Sequence, residues 1–145
     1  MYTITPAAYI FTHVYLNTMQ QGIQSLHVVG ELFTDHRADQ VMSDKIYDWS
    51  ANHKVVHILN AGGGEDYDAA RVMAESLADR EGLPFSVFFE PDIFGSPTAF
   101  GMIVTPEVCY ASEVAVDSLR VVQTQHDFVH PHELTQFLSQ FRSAR

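Results

Sequence analysis

Asp92 stands in a short Pro/Gly segment, Pro91-Asp92-Ile93-Phe94-Gly95-Ser96-Pro97, between two apolar runs. A carboxylate held in such a loop could orient a water against an ester carbonyl, which is the general-base half of a hydrolysis. Aspartate also caps turns, by accepting backbone N–H bonds. Thr98 follows closely and offers a hydroxyl to a developing oxyanion; it also opens a run in which threonine is an ordinary strand residue. Gln24 and His27 are three apart, so they share one face of a helix. His27 is a candidate general base or a residue that positions a substrate end. The pair could equally tie a helix to a sheet through backbone carbonyls. Trp49 offers a face for stacking on a base, but it ends an apolar helical stripe of the kind that belongs to a core.

Two further segments invite a chemical reading and do not sustain it. His126-Asp127-Phe128-Val129-His130-Pro131-His132-Glu133 gathers imidazoles and carboxylates of zinc-ligand type. Pro131 breaks the backbone between His130 and His132, and no second ligand cluster accompanies them, so no metal is assigned. Gly62-Gly63-Gly64 has the look of a phosphate cradle, yet no Lys-Ser/Thr follows and the next residues are Glu65 and Asp66. Those acids would repel phosphate, so the glycines are read as a strand-to-helix turn.

The elements that must position these residues alternate between strand and helix. Residues 7–16 read as a buried first strand, 54–60 as a second, 85–90 as a third and 98–105 as a fourth. Between the first two, residues 19–34 make a helix with Ile23, Leu26, Val29 (or Gly30) and Phe33 on its apolar stripe and Thr18 as N-cap. Residues 39–51 make a second helix, with Val41, Ile46 and Trp49 apolar. A third runs from Glu65 to about Arg80 with Ala70, Met73 and Leu77 inward, and Gly82 stops it. Residues 111–124 fit helix or strand. Leu134, Phe137, Leu138 and Phe141 then mark an amphipathic helix opened by Pro131. The fold class is therefore α/β, a four-stranded mixed sheet with helices on both faces and a C-terminal helical extension.

The chain has 145 residues and a formal charge of −10. That length suits one domain. The charge excludes a protein that coats nucleic acid by electrostatics alone, because duplex affinity comes largely from Lys and Arg on phosphates. Cys109 is the single cysteine, so an internal disulfide and a CxxC metal pair are both excluded. No apolar run approaches the ~18 residues of a membrane span. The N-terminus lacks the pattern of a signal peptide. A cytoplasmic protein with no membrane partner is the expectation.

Four places taken together resemble one family. Gln24-Ser25-Leu26-His27 is similar to the Q-x-x-H segment that opens the first helix of archaeal/eukaryotic-type (type II) peptidyl-tRNA hydrolases. Trp49 to Val56 resembles that family's tryptophan-bearing helix end and K-V-V strand, and Phe85-Ser86-Val87-Phe88 its third strand. Glu90 to Thr98 resembles the D-x-x-G…T stretch in the shortened form of bacterial and phage relatives. The resemblance spans about residues 8–106, which sets off 107–145 as an extension. It implies hydrolysis of the ester between peptide and tRNA, with tRNA as partner and no cofactor. By the same resemblance Asp92 and Thr98 match the family's aspartate and threonine, Gly95 its glycine, and Gln24 and His27 its substrate-facing helix. Gln20 stands where the family has a lysine; an amide there brings no charge and replaces a charge-assisted bond with a weaker neutral one. The competing expectation is a catalytically silent member of the same fold that acts as a binding or regulatory module.

The extension raises a separate question. Burying each large side chain of the 134–141 stripe is worth ~1.5–3 kcal/mol, so something must cover it. The cover is this chain's own sheet or a second copy. With three core helices already assigned to the sheet faces, a homodimer through this helix is the expectation.

Overall fold

A computed structural model describes residues 4–121 and 131–144. Its strands are β1 (Ala7–Thr12), β2 (Val56–Asn60), β3 (Phe85–Glu90) and β4 (Ser96–Val104). Its helices are α1 (Thr18–Asp35), α2 (Gln40–Asp48, continued by a π turn over Trp49–His53), α3 (Gly64–Glu81), α4 (Pro106–Val121) and α5 (Pro131–Ser139). The sheet order is β2-β1-β4-β3, with β1 parallel to β2 and β4 antiparallel to both of its neighbours. The α/β class and the mixed four-stranded sheet are as expected. The ends of β1, β2 and β3 and the start of β4 therefore share one edge.

Every residue of β1 is buried, and its alternation feeds two cores. Ala8 and Ile10 point toward α1 and α2, where Val28, Leu32, Ile46 and Trp49 meet Ala99 and Ile103. Tyr9 and Phe11 point the other way, into a larger core with Phe100, Met102 and residues of α3, α4 and α5. Strict alternation on a strand buried on both faces is what a three-layer arrangement requires.

Several boundaries differ from the sequence reading for identifiable reasons. β1 ends at Thr12, because the backbone turns there to bond the loop after β2, with Val14 N–H on the Gly62 carbonyl at 2.9 Å. β2 starts only at Val56, since Lys54 takes a left-handed backbone with φ of 59°. The N-cap of α1 is Asn17 and not Thr18: its Oδ1 accepts from Gln20 N–H at 2.9 Å, while Gln20 Oε1 accepts from Asn17 N–H at 3.0 Å. This reciprocal pair is a capping box.

The largest correction concerns the inward face of α1. Ile23 and Leu26 are 48% and 72% exposed, and the helix buries Gln21, Gln24, Ser25, Val28 and Leu32. The polar side chains win that face because each finds a partner there. Gln21 Nε2 donates to the Leu16 carbonyl, and Ser25 Oγ donates to the Gln21 carbonyl. Val41 of α2 and Met73 of α3 are likewise exposed, whereas Ile46, Trp49, Ala70 and Leu77 are buried as expected. Gly82 ends α3 with φ of 67°. The ambiguous stretch from 111 is helical as far as Val121, and the remainder lies outside the described residues.

Leu134, Phe137 and Leu138 of α5 are buried in the chain's own larger core, and Phe141 packs against it. Phe137 and Phe141 both meet the Phe11 ring, at 5.8 Å and 5.0 Å between centroids. Past α5 the tail lies along β2: Asn60 N–H bonds the Arg142 carbonyl and Ala144 N–H the Ile58 carbonyl. Residues 131–144 thus pack on the same sheet as the elements before them. The stripe is covered at home, which removes the ground on which a homodimer through this helix was expected. The reason is space: α1 and α2 share one face, leaving room beside α3 on the other.

Gly101 sits where α1 crosses the sheet. A Cβ there would stand 2.6 Å from Ile10 Cδ1 and 2.8 Å from the Tyr9 carbonyl oxygen. A carbonyl in the ladder cannot swing aside as a side chain can. Gly101→Ala is expected to cost about 1–3 kcal/mol, the usual range for overpacking. A urea denaturation midpoint unchanged from wild type would contradict this.

Candidate functional site

The shared edge of the sheet gathers most of the residues singled out above. His13 N–H bonds the Thr98 carbonyl at 3.2 Å and Ala61 N–H bonds the Thr12 carbonyl at 3.0 Å, so the ends of β1 and β2 and the start of β4 are stitched together. Between β3 and β4 the segment Pro91–Ile93 forms one 3-10 turn, followed by Phe94 and Gly95 with φ of 52° and 70°. Glu90 caps this turn, its Oε1 accepting from Asp92 N–H at 3.2 Å. Asp92 contributes only its backbone to the cap. Its exposed carboxylate enters no hydrogen bond or ion pair among the described residues. Gly95 has a conformational role, since its left-handed backbone favours glycine.

Thr98 is fully buried, and its hydroxyl donates to Gln24 Oε1 at 3.0 Å. Gln24 Nε2 in turn donates to Glu90 Oε2 at 2.9 Å. One amide thus joins α1, β3 and β4. The Gln24 bond, then the Asp92 N–H and more weakly the charge of His27, hold the Glu90 carboxyl below its ordinary range. His27 lies exposed beside this relay, its ring stacked on Phe88 at 4.4 Å and 8° between planes. Gln20 is one turn nearer the helix start, with its side-chain oxygen in the capping box. Gln24 and Thr98 are therefore brought together. Asp92 meets the relay only through Glu90, and Gln20 is not bonded to it. Trp49 is buried and donates its Nε1–H to the Val55 carbonyl at 2.8 Å, a core position.

Glu90 was not picked out from the sequence, although it precedes the Pro-Asp pair and its type is suited to capping a turn. Nor was the cleft beside the relay. His13, Tyr15, Tyr67, Asp68, Ile93 and Ser96 line an open cleft of about 410 Å³ between the end of β1, the start of α3 and the 91–95 loop. The His13 ring packs against Tyr15 and Tyr67, at 4.1 Å and 4.8 Å. Burial holds its pKa below the ordinary histidine value, against a smaller opposite pull from Asp68. The signal for it was the pair of aromatic residues flanking the end of the first strand and the Tyr-Asp pair in the third helix.

Charge at this edge is mostly negative, Arg71 of α3 being a cation that acts on Tyr67. Residues 13–27, 61–70 and 90–98 contain no Lys or Arg, but do contain Glu65, Asp66, Asp68, Glu90 and Asp92. Among the described residues no group of three or more His, Cys, Asp or Glu is placed to hold a metal ion, and His126 and His130 lie outside that description. No helix of the described residues is long and apolar enough to cross a membrane. No family model matches the chain, and no curated protein is similar to it by sequence.

The relay makes a titration prediction. A carboxyl depressed in the folded state stabilises it above the unfolded pKa, and that contribution is lost as pH falls through the folded one. Gln24→Met removes the largest cause of the depression. The Glu90 titration midpoint, followed by carboxyl carbon NMR, should rise toward the ordinary glutamate value. A midpoint that stays low in the variant would show that the Gln24 bond is not its cause.

Proposed function

We propose that the protein is a binding module built on a peptidyl-tRNA hydrolase-like α/β fold, with its ligand site at the carboxyl edge of the sheet and no efficient ester hydrolysis. The observation that carries this reading is the state of Thr98. An oxyanion donor must be free to meet the charge that develops in the transition state. The Thr98 hydroxyl is buried and committed to Gln24. The lysine expected at position 20 is an uncharged glutamine whose oxygen caps α1. An edge lined by carboxylates also disfavours a polyanion such as tRNA, whose binding rests on Lys and Arg. Binding at the carboxyl ends of strands, by contrast, is the common habit of open α/β sheets.

One observation favours the hydrolytic alternative: the Asp92 carboxylate is exposed and engaged by none of the described bonds, as a water-orienting base would have to be. The two readings separate in one assay. The protein, in excess over peptidyl-tRNA, is expected to release no more peptide than buffer and to retain no tRNA on a filter at physiological salt. Peptide release by wild type that Asp92→Asn abolishes, with the melting temperature unchanged, would establish the hydrolase and overturn the module.

A further inference from the structure

The two outer strands of the sheet are finished differently. The tail covers β2, bonding it at Ile58 and Asn60. β3 lies at the other end of the strand order and pairs with β4 alone among the described strands. In an antiparallel ladder the backbone groups of successive residues point to opposite sides. The Pro84 carbonyl accepts from Ile103 N–H and the Glu90 carbonyl from Gly95 N–H, both on the inner side. The groups of Phe85, Val87 and Phe89 therefore point outward. The register shift at Phe88 and Phe89 puts its extra residue, Thr98, on β4, so the alternation of β3 is unbroken. His36 Nε2 donates to the Phe85 carbonyl at 3.1 Å, and no other hydrogen bond among the described residues reaches this outer row. Proteins usually blunt such an edge with lysine, proline or a covering segment. Phe85-Ser86-Val87-Phe88-Phe89 contains no charge and no proline.

The side chains along this edge fit one another. Phe85 and Val87 face the larger core and Phe88 the smaller, so alternation puts Phe89 on the same side as Phe85. Phe89 is 54% exposed. At the other end of the strand, beside Phe85, lies an open cleft of about 490 Å³ with Met42, Val72 and Leu83 in its apolar lining and Glu75 and Asp79 in its polar one. A two-fold axis at Val87 sets Phe85 of one copy opposite Phe89 of the other, and Ser86 opposite Phe88. The exposed Phe89 ring of each copy then meets the cleft of the other.

Charge agrees with this register. Copies that each carry −10 can meet only along a seam free of like charge, and the seam from Phe85 to Phe89 has none. Ser86 donates to Asp35 at 2.8 Å, and His27 stacks on Phe88 at 4.4 Å. Setting Ser86 against Phe88 brings Asp35 of one copy toward His27 of the other. Glu31, between them on α1, sets one carboxylate of each copy toward its twin, and an exposed pair of charges is worth little.

We propose that two copies of this chain pair through β3, antiparallel about a two-fold axis at Val87, and join their sheets into one. The hydrogen bonds come from the outward groups of Phe85, Val87 and Phe89, and the anchor is Phe89 in the cleft of the second copy. This interface is separate from α5, whose apolar stripe is covered at home, and from the ligand site at the carboxyl edge.

Sedimentation equilibrium of the full chain over a concentration series should give a monomer–dimer equilibrium. Hydrogen exchange by NMR reads the register: Val87 N–H should exchange more slowly as concentration rises. Phe89→Asp puts a carboxylate against Glu75 and Asp79 of the second copy. It should weaken the dimer at least about tenfold, as loss of an interface anchor does, and restore fast exchange at Val87. Its melting temperature under dilute, monomeric conditions should match wild type, since the ring is exposed there. A mass of one chain throughout the series would overturn the dimer and leave the edge to a strand of another protein. A dimer that Phe89→Asp leaves intact, or in which Val87 N–H exchanges as it does in dilute protein, would overturn the interface. None of these outcomes bears on whether the carboxyl edge binds a ligand or cleaves an ester.

Discussion

The side-chain amide of Gln24 is the point on which the carboxyl edge of the sheet depends. It accepts from Thr98 at the start of β4 and donates to Glu90 at the end of β3, so one residue of α1 satisfies a buried hydroxyl and anchors a carboxylate. Buried polar groups are costly when unpaired, and this requirement fixes the rotation of α1 about its own axis. With Gln24, Gln21 and Ser25 turned inward, Val28 and Leu32 fall against the sheet. Ile23 and Leu26 are then carried outward into water. Glu90, fixed by the same amide, caps the turn that holds Asp92 and leads into Phe94 and Gly95. The geometry of the loop is thus inherited from the helix packed beside it.

The opposite face is governed by apolar packing. Phe11 and Phe100 stack in its centre at 4.8 Å, and Phe137 and Phe141 close over Phe11. Tyr67 completes the group by its edge contact with Phe100, which explains why its ring is buried even though its hydroxyl has no hydrogen-bond partner among the described residues. Aromatic burial fixes the ring, and the hydroxyl goes where the ring takes it. The tail that carries Phe141 also pairs with β2, shielding a strand edge that would otherwise present open backbone groups.

Much of the architecture was legible in the sequence. Strand-helix alternation, the Gly82 stop and the 134–141 stripe are local signals with local causes, and they mark elements of the structure. The face of α1 was not legible, because apolar periodicity favoured Ile23 and Leu26 over Gln24. The partners of Gln24 lie 66 and 74 residues away, and no local pattern announces them. For the same reason Thr98 reads from sequence as an available hydroxyl and is found engaged, while Asp92, a plausible turn cap, leaves that role to Glu90. The cleft combines the end of β1 and the start of β4 with the start of α3, a neighbourhood created by strand order.

The account stands on the claim that the Thr98 hydroxyl is occupied within the protein. Side-chain hydrogen exchange observed by NMR tests this most directly. A buried hydroxyl bonded to Gln24 should give a visible proton that exchanges slowly with water and shows a nuclear Overhauser contact to the Gln24 amide protons. A Thr98 hydroxyl that exchanges as fast as that of free threonine, with no contact to Gln24, would contradict the account and return Thr98 to the candidates for catalysis.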